Sequence, residues 1–209
     1  MSVVVAIKKD GIIYMGADSQ ATKGGTRRTL SNPNNYKIWA VEGVGKTLMG
    51  SVGTVRSANI IKVADDLIPE IVDLKNNVDF KFVVKQLVPR MMDELDGYKV
   101  LIKSSDGTPN MDASFLLAYK DRLYSIDAYG CVIEVDDFFA IGSGASEALG
   151  SLYSTVDMDD PVKRIQEAIK SSATHDIYVD YPIVISNTQD TDFKVYYEKD
   201  IVEEKAKTK

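Results

Sequence analysis

The chain has 209 residues, of which 44% are hydrophobic, and its 31 acidic and 25 basic residues give a formal net charge of −6. This length and composition predict one globular domain, which we place at residues 1–201, followed by a charged, disordered tail over Val202–Lys209. An acidic chain without a basic stripe argues against binding to nucleic acid. Cys131 is the only cysteine, which excludes an intrachain disulfide.

The sequence gives no sign of a membrane segment or a metal centre. No apolar run approaches the roughly 20 residues that span a bilayer. Lys8, Lys9 and Asp10 interrupt the apolar start of the chain, where a secretory signal would have its apolar core. One histidine and one cysteine without clustered spacing predict no zinc site. We therefore expect a cytoplasmic protein with no membrane partner.

The chain opens with two strand-like runs, Val3–Lys8 and Ile12–Ala17, joined by Lys9-Asp10-Gly11. An Asp-Gly pair between β-branched runs is typical of a β-hairpin. The first run begins directly after Met1 and Ser2, although chain termini are usually frayed. This placement favours the hypothesis that the terminus itself carries function.

The rest of the chain alternates between strand and helix patterns. Gly, Asn and Pro33 predict a loop over Lys23–Asn35, which lies either beside an active-site mouth or simply on the surface. Apolar residues at helical spacing predict helices over Val55–Asn76 and Phe80–Leu95, and Pro89 should kink or break the second. Further strands are predicted at Tyr36–Val41, Thr47–Val52, Ala113–Tyr119, Arg122–Asp127, Val132–Ile133, Asp137–Ile141, Ile183–Ser186 and Phe193–Tyr197, and further helices at Ser146–Ser154 and Pro161–Thr174.

Ser2 is a candidate nucleophile. Removal of Met1 would give Ser2 a free α-amine, whose reference pKa of about 7.7–8.0 allows it to act as a base near pH 7. N-terminal threonine nucleophiles work in this way. While Met1 is attached, the nitrogen of Ser2 is an amide and is not basic. Asp18, at the end of the second run, and Lys37, in the predicted strand Tyr36–Val41, supply a carboxylate and a cation that can return to the start of the first run.

The order of these residues resembles the proteasome β-subunit family of N-terminal-nucleophile (Ntn) hydrolases, and within it the HslV-like peptidases. In this family the first strand begins with the nucleophile, where the present chain has Ser2 in place of threonine. The other matching segments are Ala17-Asp18-Ser19-Gln20-Ala21-Thr22, Lys37-Ile38, Ala140-Ile141-Gly142-Ser143-Gly144-Ala145 and Thr174-His175-Asp176-Ile177-Tyr178. The resemblance implies an α+β fold, a four-layer α-β-β-α sandwich of two antiparallel sheets.

The resemblance also implies a role for each candidate site residue. Ser2 would be the nucleophile, Lys37 the cation that keeps the site positive, and Asp18 the carboxylate that holds Lys37. Ser143 would lie near the amine of Ser2 and relay its proton, and Asp176 would orient the serine and the amine.

Two further residues would shape the substrate site. Gly53 would supply the oxyanion-hole N–H, and Ser51 would border the pocket for the residue before the scissile bond. From the residues alone, Gly53 could equally be a turn glycine, Ser143 a helix cap, and Asp176 a loop carboxylate. His175, the only histidine, is predicted to be structural, since no Gly-x-Ser-x-Gly motif accompanies it.

We therefore expect a proteasome-like peptidase that hydrolyses peptides or unfolded polypeptides through an acyl-enzyme on Ser2. The resemblance implies a homo-oligomeric ring and leaves open an ATPase unfoldase as partner. No cofactor is predicted, although the resemblance leaves open a monovalent cation at carbonyls of Asp176–Tyr181. Two alternatives stand beside this reading: a catalytically inactive ring subunit that keeps Met1, and a nucleotide binder, because Ala40-x-x-x-x-Gly45-Lys46-Thr47 approximates a P-loop.

Overall fold

The structure, a computed structural model, describes residues 2–75 and 77–201. Its strands, in chain order, are β1 (Val3–Lys9), β2 (Ile12–Ala17), β3 (Gln20–Lys23), β4 (Thr26–Thr29), β5 (Ile38–Ala40), β6 (Thr47–Gly53), β7 (Ile102–Lys103), β8 (Pro109–Asn110), β9 (Ala113–Tyr119), β10 (Arg122–Ile126), β11 (Val132–Val135), β12 (Phe138–Gly142), β13 (Ile183–Asn187) and β14 (Lys194–Tyr196). Its helices are α1 (Val55–Val63), α2 (Glu70–Leu74), α3 (Phe80–Phe82), α4 (Val88–Gly97), α5 (Ala145–Ser154) and α6 (Pro161–His175), with a 3₁₀ turn at Pro33–Asn35 and a π-helical turn at Val83–Leu87.

The longer strands of the described residues form two five-stranded antiparallel sheets. The first has the order β12-β1-β2-β13-β14, and the second has the order β11-β10-β9-β6-β5. β3 pairs with β4, and β7 with β8, as separate short hairpins. The opening hairpin of β1 and β2 is confirmed, and it occupies the middle of the first sheet.

Strand β1 shows how the two sheets are layered. Val3, Val5 and Ile7 pack into the cluster that includes α5 and α6. Val4 and Ala6, on the opposite face of the strand, pack into the cluster between the two sheets. Because both faces are buried, the strand is a continuous apolar run instead of an alternating one.

The outer face of the second sheet is covered by the helices of the middle of the chain. Ile61 of α1 and Met91 of α4 belong to the same buried cluster as Met49, Phe115 and Leu117 of the sheet. The order of layers is therefore helix, sheet, sheet, helix, and the predicted α-β-β-α sandwich is confirmed.

The prediction of one helix over Val55–Asn76 is wrong. Helix α1 ends at Val63, and Asp66 has a positive φ of 55°, which a right-handed helix does not allow. Pro69 disfavours helical geometry in the residue before it, so α2 begins only at Glu70. The apolar spacing continues across this break, and Pro69 was the signal in the sequence against a single continuous helix. Asn76 lies outside the described residues.

The helix predicted over Phe80–Leu95 begins at Phe80 and extends to Gly97 without a break at Pro89. The π-helical turn ends at Leu87, two residues before this proline, and the N–H of Val88 donates to the carbonyl of Val83, five residues earlier. Proline has no N–H and its ring crowds the preceding turn, so the wider turn lets the helix continue.

The segment predicted as a loop over Lys23–Asn35 contains strand β4, the end of β3 and a 3₁₀ turn instead. All four residues of β4 are exposed, so this strand has no buried face and shows no apolar alternation in the sequence. The tail predicted over Val202–Lys209 lies outside the described residues. No described helix has the length and apolar character that crossing a membrane requires.

Candidate active site

The ends of three strands bring Ser2, Asp18 and Lys37 together. β1 and β2 run antiparallel, so the residue before β1 lies beside the residue after β2. Lys37 directly precedes β5, which is shorter than the predicted strand Tyr36–Val41. The carbonyl of Lys37 accepts a hydrogen bond from the N–H of Ser51 in β6 at 2.9 Å. The three residues thus lie together at one edge of the sandwich.

The carboxylate of Asp18 is the centre of this group. It accepts hydrogen bonds from Nζ of Lys37 at 2.6 Å, from the N–H of Val3 at 2.9 Å and from the N–H of Gln20 at 3.0 Å. The Asp18 side chain is 0% exposed and that of Lys37 is 10% exposed. A buried carboxylate is costly unless donors of this kind surround it. The side chain of Asp18 therefore holds in place both the backbone at the start of β1, through Val3, and the ammonium of Lys37.

Burial lowers the pKa of Lys37 below its ordinary value. The negative charges of Asp18 and Asp176 oppose this effect, because each of them favours the ammonium form. The charge on Lys37 therefore depends on both carboxylates.

The turn after β12 lies against Ser2, because β12 pairs with β1. Oγ of Ser143 accepts a hydrogen bond from the backbone nitrogen of Ser2 at 3.0 Å and donates one to its carbonyl at 3.4 Å. Gly144 is the N-cap residue of α5, and no side chain caps that helix. Ser143 is thus directed at Ser2, and it is not the helix cap that the bare sequence allowed.

Asp176 directly follows α6 and comes within electrostatic reach of Lys37. Its Oδ1 accepts a hydrogen bond from the N–H of Tyr178 at 2.9 Å. Its Oδ2 is buried and has no hydrogen-bond partner in the part of the chain that the structure describes. His175 is exposed at the end of α6 and does not line the cavity beside Ser2.

Ser2 borders a cavity of about 150 Å³ whose wall also includes Lys37, Ser51 and Gly53. Gly53 has a φ of +112°, and a Cβ atom there would stand 2.6 Å from the carbonyl oxygen of Asp112. Only glycine fits this backbone without strain. The position therefore requires glycine whether or not its N–H group faces a substrate.

The sequence interpretation missed Lys62 and Trp39, which also line the cavity. The ammonium of Lys62, on α1, donates to the carbonyl of Asn34 at 2.9 Å and lies 5.6 Å from the centroid of the Trp39 ring. Val55 and Lys62, two turns apart on α1, both line the cavity. This helical spacing, on a face beside the apolar one, was the signal available in the sequence.

Gln20 was missed as well. Its side-chain amide donates to the carbonyl of Ile177 at 2.9 Å, while its backbone N–H binds Asp18. Gln20 therefore joins the start of β3 to the segment that follows Asp176. Its place in the segment Ala17–Thr22, two residues after Asp18, was the signal available in the sequence.

The segment Gly45-Lys46-Thr47 does not have the arrangement of a P-loop. Lys46 lies in the turn between β5 and β6, and Thr47 begins a strand. A P-loop instead leads into a helix, whose N-terminal N–H groups bind phosphate. The nucleotide-binding alternative therefore lacks the geometry that it requires.

The two antiparallel sheets between helical layers define the fold of the Ntn hydrolases. The family model described as "Proteasome subunit" matches residues 2–186. The chain therefore belongs to the proteasome subunit family.

Solved structures share this fold at low sequence identity. Anbu (ancestral beta-subunit) from Yersinia bercovieri is 16% identical, with a TM-score of 0.70, covering 99% of this chain and 94% of that one. BPH from Thiobacillus denitrificans, in complex with epoxomicin, is 19% identical, with a TM-score of 0.68 and coverages of 88% and 97%. HslV from Trypanosoma brucei is 18% identical, with a TM-score of 0.65 and coverages of 88% and 98%.

One curated relative, a proteasome subunit beta of Nanoarchaeum equitans (strain Kin4-M), is 39% identical over 67 residues. The match covers 30% of this chain and 34% of the relative, so it spans about a third of the relative's length.

Proposed function

We propose that this chain is a peptidase whose nucleophile is the hydroxyl of Ser2, with the α-amine freed by removal of Met1. The observation that carries the proposal is the buried carboxylate of Asp18, which binds Lys37 and the N–H of Val3 at once. This arrangement holds a cation beside the residue that would begin the mature chain. Membership of the proteasome subunit family supports the hydrolase class.

In the proposed reaction, Oγ of Ser2 attacks the carbonyl carbon of the peptide bond, and its proton passes to the neutral α-amine. Lys37 keeps the site positive, which lowers the pKa of the amine and increases its neutral fraction. Asp18 holds Lys37 in position. A neutral amine is required because an ammonium cannot accept the proton.

The tetrahedral intermediate carries negative charge on the former carbonyl oxygen, and the N–H of Gly53 is the donor that we assign to it. One such donor typically lowers the barrier by about 3–4 kcal/mol. As the carbon–nitrogen bond breaks, the leaving amine takes the proton from the α-ammonium. Water activated by the same α-amine then hydrolyses the ester on Ser2.

Ser143 and Asp176 are assigned supporting roles. The 3.0 Å contact between Oγ of Ser143 and the nitrogen of Ser2 supports a proton relay to the amine. The buried Oδ2 of Asp176 is an acceptor that could orient the amine. A monovalent cation at Asp176–Tyr181 stays a prediction. Three carbonyls of that segment, those of Asp176, Ile177 and Asp180, already accept hydrogen bonds within the chain.

Hydrolysis of a peptide library by variants tests this function. We expect Ser2→Ala to abolish turnover and Lys37→Ala to reduce it to near background, with circular dichroism showing that both variants stay folded. Lys85→Ala, which removes an exposed lysine from the π-helical turn, is the matched control and should leave turnover unchanged. Full turnover in either site variant would overturn the mechanism. A folded, inactive protein that retains Met1 would favour the inactive ring subunit.

We also infer that the protein works in the cytoplasm as a homo-oligomeric ring that receives its substrate from an ATPase unfoldase. Membership of the proteasome subunit family supports the oligomer. Sedimentation velocity should give a mass several times that of one 209-residue chain. A single-chain mass at micromolar concentration would contradict the ring.

A further inference from the structure

The surroundings of the cavity beside Ser2 carry a charge opposite to that of the whole chain. The net charge is −6, yet residues 19–41 contain four basic residues and no aspartate or glutamate. Arg27 pairs with Asp180 at 2.8 Å, and Lys37 pairs with Asp18. Among the described residues, no acidic side chain forms an ion pair with Lys23 or Arg28. The β3–β4 hairpin therefore presents uncompensated positive charge next to the cavity.

The wall of the cavity is also positively charged. It includes Lys37 and Lys62, and none of its lining residues is acidic. Leu30, Trp39 and Val52 supply apolar surface. A cavity of about 150 Å³ holds a benzene-sized group. It therefore suits one amino-acid side chain with an apolar stem and a charged or polar end.

Lys62 has a fixed position, and no carboxylate of the described residues forms an ion pair with it. Its ammonium donates to the carbonyls of Asn34 at 2.9 Å, Tyr36 at 3.4 Å and Pro33 at 3.5 Å. Neutral carbonyls hold an ammonium without cancelling its charge. Burial lowers the pKa of Lys62, and no carboxylate of the described chain opposes that shift. A substrate carboxylate in the cavity would provide the negative charge that favours the ammonium form of Lys62.

We propose that this cavity selects peptides with a glutamate before the scissile bond, and that Lys62 is the specificity-determining residue that binds its carboxylate. The inference rests on the proposed function, because the side chain nearest to Ser2 belongs to the residue whose carbonyl is attacked. The methylenes of glutamate pack against the apolar wall. The cations of the β3–β4 hairpin draw acidic peptides towards the site, an attraction that salt weakens.

The test measures binding without turnover, so that it stands apart from the proposed chemistry. The Ser2→Ala variant is titrated with two acetylated, amidated peptides that differ only in glutamate or glutamine at the selected position. Trp39, the only tryptophan of the chain, lies in the cavity wall and reports occupancy by its fluorescence. The same titrations are repeated with Lys62→Met added, and with Lys85→Met added as the matched control.

We expect the glutamate peptide to bind at least about tenfold more tightly than the glutamine peptide, as for hydrogen bonds to charged groups. The preference should disappear with Lys62→Met and persist with Lys85→Met. Lys62→Gln is the second variant, should Lys62→Met fail to fold. Equal binding of the two peptides, no binding of the glutamate peptide, or a preference that survives loss of Lys62 would overturn the proposal. A preference found in a protein that hydrolyses nothing would leave it standing while the proposed function fails.

Discussion

Asp18 stands beside Lys37 in a buried site and favours the charged form of its ammonium. Burying this pair costs desolvation of both side chains. The 2.6 Å hydrogen bond between them and three backbone N–H donors to Asp18, from Val3, Gln20 and Asp180, offset that cost. Apolar residues of similar size would stabilise the fold as well as a buried ion pair does. The buried ion pair at the start of β1 is therefore the feature on which the proposed chemistry at that position is based.

The pH dependence of activity tests this pair. Burial lowers the pKa of Lys37, and Asp18 raises it. Activity that needs the charged lysine should fall at a pH below the ordinary lysine value. Asp18→Asn removes the raising influence, so the alkaline limb of kcat/KM should move to still lower pH. Asp10→Asn, in the exposed hairpin turn, is the control. An alkaline limb that stays in place in Asp18→Asn would mean that Lys37 does not set it.

Gly53 provides a second test at the scale of one residue. An alanine there would meet the carbonyl oxygen of Asp112 at 2.6 Å and Cα of Ala113 at 2.8 Å, in a backbone conformation that disfavours side chains. We expect Gly53→Ala to cost about 1–3 kcal/mol in urea unfolding and to reduce kcat. Gly45→Ala, which meets nothing within 4 Å, should be neutral. Equal stability of the two variants would remove the argument for a required glycine.

The residues of the candidate site differ in how far the sequence predicts them. Ser2, Asp18 and Lys37 stand at strand ends in a recognisable order, so the resemblance was enough to group them. The sequence did not predict Lys62 as a site residue, because a lysine beside the apolar face of a helix looks like an ordinary surface residue. Its contacts with a loop about 26–29 residues away in sequence exist only in the folded chain.

At the scale of elements, apolar spacing predicted the strands and helices that bury a face. It failed where tertiary packing or backbone chemistry determined the secondary structure. β4 has no buried residue, so no pattern marked it. The helix predicted over Val55–Asn76 was too long because the apolar spacing continues past Val63, where α1 ends. The order of the layers could be predicted from the resemblance, whereas the order of strands in each sheet could not, since pairing partners are distant in sequence.

The contact between β2 and α6 gives a prediction at this scale. A Cβ on Gly16 would overlap the γ-methyl of Ile165 and lie 3.2 Å from the side chain of Ile185. We expect Gly16→Ala to destabilise the fold by about 1–3 kcal/mol, as overpacked cores do. Gly150→Ala, on the open face of α5, should instead stabilise it by about 0.5–1 kcal/mol. Chemical denaturation measures both, and a Gly16→Ala protein as stable as wild type would show that the interface yields freely.

At the scale of the whole molecule, the cluster between the sheets joins both halves of the sandwich. It draws Val4, Met15 and Val184 from the first sheet and Leu48 and Leu116 from the second. We therefore predict that residues 1–201 unfold as one domain. Fluorescence of Trp39, in the second sheet, and far-ultraviolet circular dichroism should give coincident thermal transitions. Separate midpoints at equal protein concentration would indicate two units.

The most direct test of the central claim compares two proteins that differ only at the N-terminus. One begins at Ser2, released by cleavage of a removable tag, and the other keeps Met1 before it, as intact mass measurement verifies. Both are assayed for hydrolysis of the same peptides. The account predicts turnover by the protein that begins at Ser2 and none by the protein that keeps Met1, because an amide nitrogen is not a base. Equal turnover by both proteins would show that the α-amine of Ser2 is not the catalytic base.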